Sequence, residues 1–452
     1  MLLPRQVMTN FPQASGHTNI PISGCLRGCP VRVQSGTQLR FVLQCRVAAD
    51  NPPPPPPTFK PAEVERGTHQ RISWQHLQTH CSRTMADNLA RLPLAVGILG
   101  PGLIGQTLLR QLAAQAPKLM TDYKLDLQVV SIANSRQMLL SDDNAIDMNQ
   151  WANEFQTKAV PMNLNDFIKH LCSSAAPHRV VVDCSSSEEL AKSYIGFMEN
   201  GCHIVTPNKK MGSGPLADYL TLRALSSRNR LHWFYEATCG AGLPVVSTLK
   251  TLTQTGDRIL RIEGILSGTL SYIFNTFGPG LPFSQVVQTA KAKGYTEPDP
   301  RDDMSGTDVA RKIVLLAREA GSHVELEDVS VLNLVPEGLR GAASAKEFLD
   351  GLPAYDDEME RRASEAAANG EVLRYVAVMD GKTSKCRVEL RNYLRTHPFA
   401  HLEGSDNIIM FTTDRYYDQP LIIRGPGAGA EVTAAGVFGD ILKLAECLGK
   451  PT

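Results

Sequence analysis

The chain has 452 residues, 42% of them hydrophobic, and 46 basic side chains balance 46 acidic ones. Zero net charge argues against nucleic acid as the main partner, no apolar run reaches the ~20 residues of a membrane-spanning helix, and the length is enough for two or three domains with cores of their own. Ten cysteines are scattered without CxxC or Cys/His ligand spacing, so their pattern indicates neither a zinc site nor a disulfide scaffold, and a reducing compartment is the default.

Residues 1–49 hold no Asp, Glu or Lys but five arginines: Arg5, Arg27, Arg32, Arg40 and Arg46. An arginine-bearing, acid-free leader with interspersed hydroxyls reads as an organelle transit peptide, hence a plastid stroma. The alternatives are a disordered tail on a cytoplasmic protein or a misassigned upstream stretch. Pro52 to Pro57 is a stiff spacer, and a polar stretch follows to about Leu89. Residues 1–90 are therefore set apart from the fold.

The globular part opens with an apolar strand, Leu94–Leu99. Gly100-Pro101-Gly102-Leu103-Ile104-Gly105 follows at once, and then a helix to about Ala116. A lone GxGxxG is weak. Here it lies between strand and helix and is followed by a second strand, Leu127–Ile132. That context points to a Rossmann-type, doubly wound dinucleotide-binding domain, with a structural glycine turn as the alternative. Gly100, Gly102, Leu103, Ile104 and Gly105 are the cofactor-binding candidates, at a helix N-terminus suited to a pyrophosphate. NAD sites usually end the second strand on an acid. This chain has Ala133-Asn134-Ser135-Arg136 instead, so Asn134 and Arg136 favour the 2′-phosphate of NADP, with NAD possible.

Further units follow. Arg179–Cys184 is a strand ending in Ser185-Ser186-Ser187, hydroxyls that either meet a ligand at the strand's carboxyl end or cap the next helix. A helix runs to about Asn200. His203–Val205 is a strand that delivers Lys209, and Pro215 to Ser227 is another helix. The strand at Trp233 enters a loop, Glu236-Ala237-Thr238-Cys239-Gly240-Ala241-Gly242-Leu243, whose alternating glycines can turn carbonyls inward around a cation. Cys239 invites a nucleophile reading, but the inert one is preferred.

From about Val245 the pattern changes to shorter strands: Ile262–Leu266, Val372–Met379, Cys386–Leu390, Ile408–Thr412 and Leu421–Arg424. These describe an α+β domain with a mixed sheet over 246–424. The dinucleotide domain spans 91–245 and is completed by 425–452, where Gly425–Ala430 opens a final helix. Within the second domain lies the run Gly294–Asp303, a stiff acidic loop, followed by a helix striped by Val309, Ile313, Leu316 and Ala317. Asp308 and Lys312 stand four apart on that helix and share a face. They are either a surface ion pair or a carboxylate holding a lysine that moves a proton.

Taken together, these motifs resemble homoserine dehydrogenase over residues 92–450, most nearly the dehydrogenase half of plant aspartokinase–homoserine dehydrogenases. The motifs are those at 100–105, 206–210, 236–244, 268–275, 294–312 and 404–407. The resemblance implies reversible NAD(P)H-dependent reduction of L-aspartate 4-semialdehyde to L-homoserine by a homodimer, on the route to threonine, methionine and isoleucine. It implies Lys312 as acid/base, Asp308 as its partner, Lys209 as a second site lysine and Glu297 as a substrate-binding glutamate. Asp303 is grouped with Glu297, Asp308 and Lys209 as substrate-binding. Ser185, Gly294 and Gly429 would line the cleft, and Glu236, Cys239, Ala241 and Leu243 would hold a monovalent cation such as Na+. The family usually has valine at Cys239. Ninety leading residues are too few for a kinase half with regulatory domains, which leaves threonine feedback through such a domain an open question. Two other readings stay open: a phosphorylating semialdehyde dehydrogenase using Cys239, and a non-catalytic dinucleotide-binding sensor.

Overall fold

The computed structural model describes residues 91–141 and 145–449. The leader and the proline spacer lie outside the described residues. The fold is α/β, built on two sheets.

Strand β1 (Leu92–Leu99) is buried from Leu94 onward, the continuous apolar run of a strand covered on both faces. It pairs in parallel with β2 (Leu125–Ala133) on one side and β5 (His178–Asp183) on the other. Beyond β5 come β6 (His203–Val205) and β7 (Trp233–Phe234), also parallel. Beyond β2, the short strands β3 (Gln137–Leu140) and β4 (Val160–Pro161) extend the sheet antiparallel. The order β4-β3-β2-β1-β5-β6-β7 reverses direction at β1. A crevice therefore opens at the carboxyl ends of β1 and β5, where doubly wound sheets take ligands.

The second sheet has the order β13-β12-β8-β10-β11-β9, comprising β8 (Ile259–Ile265), β9 (Ser330–Val331), β10 (Glu371–Asp380), β11 (Cys386–Leu394), β12 (Asp406–Thr413) and β13 (Leu421–Pro426). Neighbours are antiparallel except β9 and β11. Its period-two pattern is visible along β12. Ile409 and Phe411 face the main core, whereas Ile408 and Met410 join a small cluster with Val376, Val378 and Tyr393 on the other face.

Six helices matter for the site: α1 (Leu103–Asp122), α2 (Lys210–Ser213), α3 (Val245–Gln254), α4 (Gly268–Thr276), α5 (Thr307–Glu319) and α6 (Ala430–Cys447). Helices α4 and α5 bury Leu270, Ile273, Val309, Ile313 and Leu316 with Ile262 and Met379 of the second sheet. Helix α6 returns to the first sheet and buries Val437, Ile441 and Leu444 with Leu108 and Leu112 of α1.

Two local expectations change. The helix expected to reach Asn200 is two pieces, Glu188–Lys192 and Tyr194–Glu199, joined at Ser193. The acidic run is only partly loop, because Pro300–Met304 is a short helix. Asp299 caps it through the Arg301 N–H, Pro300 stands in its first turn, and Asp302 and Asp303 sit at its positive end. The clustered carboxylates thus meet a helix N-terminus as well as cations.

Candidate active site

Helix α5 starts after Gly306, whose φ of +74° makes the sharp entry. Its apolar stripe is buried, and Lys312 lies beside that stripe with 9% of its surface exposed. Lys312 Nζ donates to Asp308 Oδ2 at 2.8 Å and to the carbonyl of Leu266, at the end of β8, also at 2.8 Å. The other oxygen of Asp308 accepts from Lys209 Nζ at 2.7 Å. Lys209 comes from the other sheet, in the turn between β6 and α2. One carboxylate thus bridges two ammonium groups, one following a strand of the first sheet and one on a helix packed against the second. Burial opposes the charge on Lys312, but Asp308 more than offsets it and the amine is held above the ordinary lysine value. Burial likewise opposes ionisation of Asp308, yet Lys312 and Lys209 together hold it well below the usual carboxylate range. With two N–H bonds fixed, the third N–H of Lys312 has a defined direction.

The turn that delivers Lys209 is set by Asp183, a buried carboxylate at the end of β5. It accepts from Tyr194 Oη (2.5 Å), Asn208 Nδ2 (3.0 Å) and the Ser185 N–H (2.8 Å). Burial raises its pKa. Asp183, Tyr194 and Asn208 were not singled out from sequence. The available signal was an acid closing an otherwise apolar strand.

At the crevice, each glycine of the motif has its own reason. Gly100 has φ +83°, and a Cβ there would lie 2.9 Å from Ser185 N. A Cβ on Gly105 would lie 2.4 Å from the Gly100 carbonyl, so that glycine lets α1 start against the turn. Nothing lies within 4 Å of a Cβ at Gly102, which faces open space. Leu103 is 72% exposed and Ile104 half-buried. Asn134 Oδ1 accepts from the N–H groups of Arg136 and Gln137, both at 2.8 Å, leaving the Arg136 side chain exposed. Ser185 Oγ accepts from Ser187 N–H, and Ser187 caps the next helix. Gly429 (φ +124°) precedes α6, and Gly294 (φ +73°) lies exposed just before the acidic run. In that run Asp299 pairs with Arg301. Asp303 accepts from Thr269 Oγ1 and from the Glu297 N–H, both at 2.8 Å, and Glu297 itself is exposed.

The loop after β7 has Gly240 at φ +78° and Ala241 at φ +52°, which turn successive carbonyls. The Glu236 carboxylate accepts from the Val246 and Ser247 N–H groups at the start of α3, and its carbonyl accepts from the Cys239 N–H at 3.4 Å. Leu243 N–H closes back on the Gly240 carbonyl. Cys239 is fully buried, and burial pushes its thiol up to about 12 even with Lys312 and Lys209 nearby. A thiol in that state is a poor nucleophile, which counts against the thioester reading. Among the described residues no group of three His, Cys, Asp or Glu side chains could hold a metal ion, and no helix is long and apolar enough to cross a membrane.

Comparison with known proteins gives this geometry a lineage. The family model described as homoserine dehydrogenase, NAD binding domain, matches residues 100–236, and that described as homoserine dehydrogenase matches 244–442. The maize chloroplastic bifunctional aspartokinase/homoserine dehydrogenase 1 is 57% identical over 365 residues; the match covers 80% of this chain and 40% of the maize protein. The chain thus spans about two fifths of the length of such plant relatives. Homoserine dehydrogenase of Saccharomyces cerevisiae is 43% identical, with 78% of this chain and 98% of the yeast protein covered. A solved structure of a Candida auris protein of unknown function superposes with a TM-score of 0.73 at 40% identity, covering 78% of this chain and 98% of that one. Two family models meeting near the boundary between the sheets, and a yeast relative matched almost end to end, place this chain in the homoserine dehydrogenase family.

Proposed function

We propose that this chain interconverts L-aspartate 4-semialdehyde and L-homoserine with a nicotinamide dinucleotide. The observation that carries the proposal is the Asp308 carboxylate shared between Lys312 and Lys209 beside the crevice. Gly100, Gly102 and Gly105 fit the dinucleotide, since the open side of Gly102 admits close approach of a pyrophosphate. When bound, the dinucleotide supplies or accepts the hydride. The chain's own work is electrostatic. Lys312 Nζ gives its proton to the substrate oxygen as negative charge gathers there, and takes one back in the reverse direction. Asp308 stays ionised and holds the amine in place. The exposed Glu297 carboxylate faces the substrate ammonium, with Asp303 fixing the Glu297 backbone. Lys209 meets the substrate carboxylate or the reacting oxygen.

Finer features belong to the same proposal. Arg136, exposed just after β2, favours NADP(H) over NAD(H). Carbonyls of Glu236, Cys239, Ala241 and Leu243 hold a monovalent cation such as Na+. Exposed Leu394 and Ile422, on strands of the second sheet, support a homodimer through it. The arginine-rich leader and the chloroplastic plant relatives support a plastid.

The test is nucleotide oxidation with aspartate semialdehyde, run with NADPH and with NADH, in sodium and in choline chloride. NADPH-dependent turnover without phosphate is expected, faster in sodium, and Arg136→Ala should raise KM for NADPH more than for NADH. No turnover with either nucleotide would overturn the proposal, and equal effects on both would remove the NADP assignment.

A further inference from the structure

The aim of Lys312 depends on two anchors, Asp308 and the carbonyl of Leu266. Leu266 sits where β8 leaves its sheet and the chain turns into α4. A carbonyl in such a junction needs something to hold its direction. The structure provides Asn407, on β12 beside β8, whose Nδ2 donates to the same Leu266 oxygen at 3.2 Å. The start of β12 is itself tied to α4, because Ser271 Oγ donates to the Asp406 carbonyl at 2.7 Å.

Asn407 is wholly buried, and its Oδ1 has no hydrogen-bond partner among the described residues. A buried amide oxygen without a donor is costly, and an apolar side chain of the same size would avoid that cost. Packing alone therefore does not call for asparagine. The carboxamide is also clamped from behind. A Cβ on Gly427, in the glycine turn before α6, would lie 2.1 Å from both Cγ and Nδ2 of Asn407. Gly427 has ordinary negative or extended φ, so its smallness serves this contact and not the backbone. The result is a relay from the turn before α6, through Asn407 and the Leu266 carbonyl, to the amine of Lys312.

We propose that Asn407 is a positioning residue for Lys312: its carboxamide fixes the Leu266 carbonyl, and that carbonyl directs the remaining N–H of the amine at the reacting oxygen. The inference rests on the reading of Lys312 as acid/base. Asn407→Leu keeps size and burial but cannot donate. It should melt no lower than the wild type and bind NADPH within about threefold of it, while kcat falls at least tenfold with KM for homoserine little changed. A loosely held carbonyl stabilises the ammonium less, so the rise of homoserine oxidation with pH should begin at lower pH. Asn407→Asp, which also cannot donate but adds a negative charge near the amine, should lose kcat similarly without that downward shift. Gly427→Ala should reproduce the kcat loss by displacing the carboxamide, and it carries the test if the leucine variant does not fold. Wild-type kcat and an unmoved pH profile in Asn407→Leu, or an NADPH affinity lost in step with kcat, would overturn the inference. Its failure is separable from that of the underlying reading. If Lys312→Ala turns over normally, the acid/base reading falls; if Lys312→Ala is dead but Asn407→Leu is normal, only the positioning role falls.

Discussion

Lys312 is a lysine in a place where burial by itself would favour the neutral amine; the Asp308 carboxylate reverses that preference. The pair is therefore a statement about pH as well as geometry. Asp308→Asn leaves the amine buried without the carboxylate that chiefly opposes that burial, so its pKa should fall. Reduction needs the protonated form, and the alkaline limb of semialdehyde reduction should move to lower pH in that variant. Lys312→Ala should lose roughly 10²- to 10⁴-fold in kcat, the range of a positioned general acid, while NADPH quenching of tryptophan fluorescence is retained. An alkaline limb that stays in place in Asp308→Asn would mean that the amine is not the titrating group. The contact of Asp308 with Lys312 was legible from spacing, because four residues on a helix fix it locally. The carbonyl of Leu266, 46 positions away, and the bridge to Lys209, 99 away, depend on how two sheets meet. No local pattern encodes that.

Elements divide along similar lines. Strands β1, β2 and β5 are long, apolar and bounded by turns, so their places were readable within two residues. Strands β3, β4 and β9 have four, two and two residues and take their pairing from neighbours, so nothing in the chain marked them. The glycine turn before α1 shows how one motif carries separate demands. Gly105→Ala would press a methyl group onto the Gly100 carbonyl, backbone against backbone, and should lower stability by about 1–3 kcal/mol, as overpacking does. Gly102→Ala meets nothing in the chain and should melt within about 0.5 kcal/mol of wild type. It should still lose NADPH affinity, because its open side is where the dinucleotide must approach closely. Calorimetry and fluorescence titration of the two variants distinguish a glycine kept for the fold from one kept for the ligand. If Gly102→Ala bound NADPH as tightly as wild type, the crevice would not be the cofactor site.

At the scale of the whole molecule, the proposed cofactor crevice lies at the carboxyl ends of the first sheet, and the opposite ends carry a different feature. His178 and His203 begin the adjacent strands β5 and β6, and His232 precedes β7. Their rings form a row with centroids 6.1 and 5.5 Å apart, and His203 Nδ1 accepts from the His232 N–H. Burial, then the neighbouring His232 and His178, lower His203 from 6.5 to about 3. The folded protein thus keeps this ring neutral at pH values where the unfolded chain protonates it. Between pH 6.5 and 3 the unfolded state holds more protons, so stability falls as pH falls through that window. A shift of that size is worth ~5 kcal/mol at most. His203→Asn preserves an acceptor for the His232 N–H but cannot titrate. Its melting temperature should fall less between pH 7 and pH 4.5 than that of the wild type. Its kcat at neutral pH should be nearly unchanged, because the ring and hydrogen-bond contacts of His203 are with His178 and His232 and not with Lys312 or Lys209. Parallel melting curves for the two proteins across that range would show that acid sensitivity arises elsewhere, and that the histidine row is packing alone.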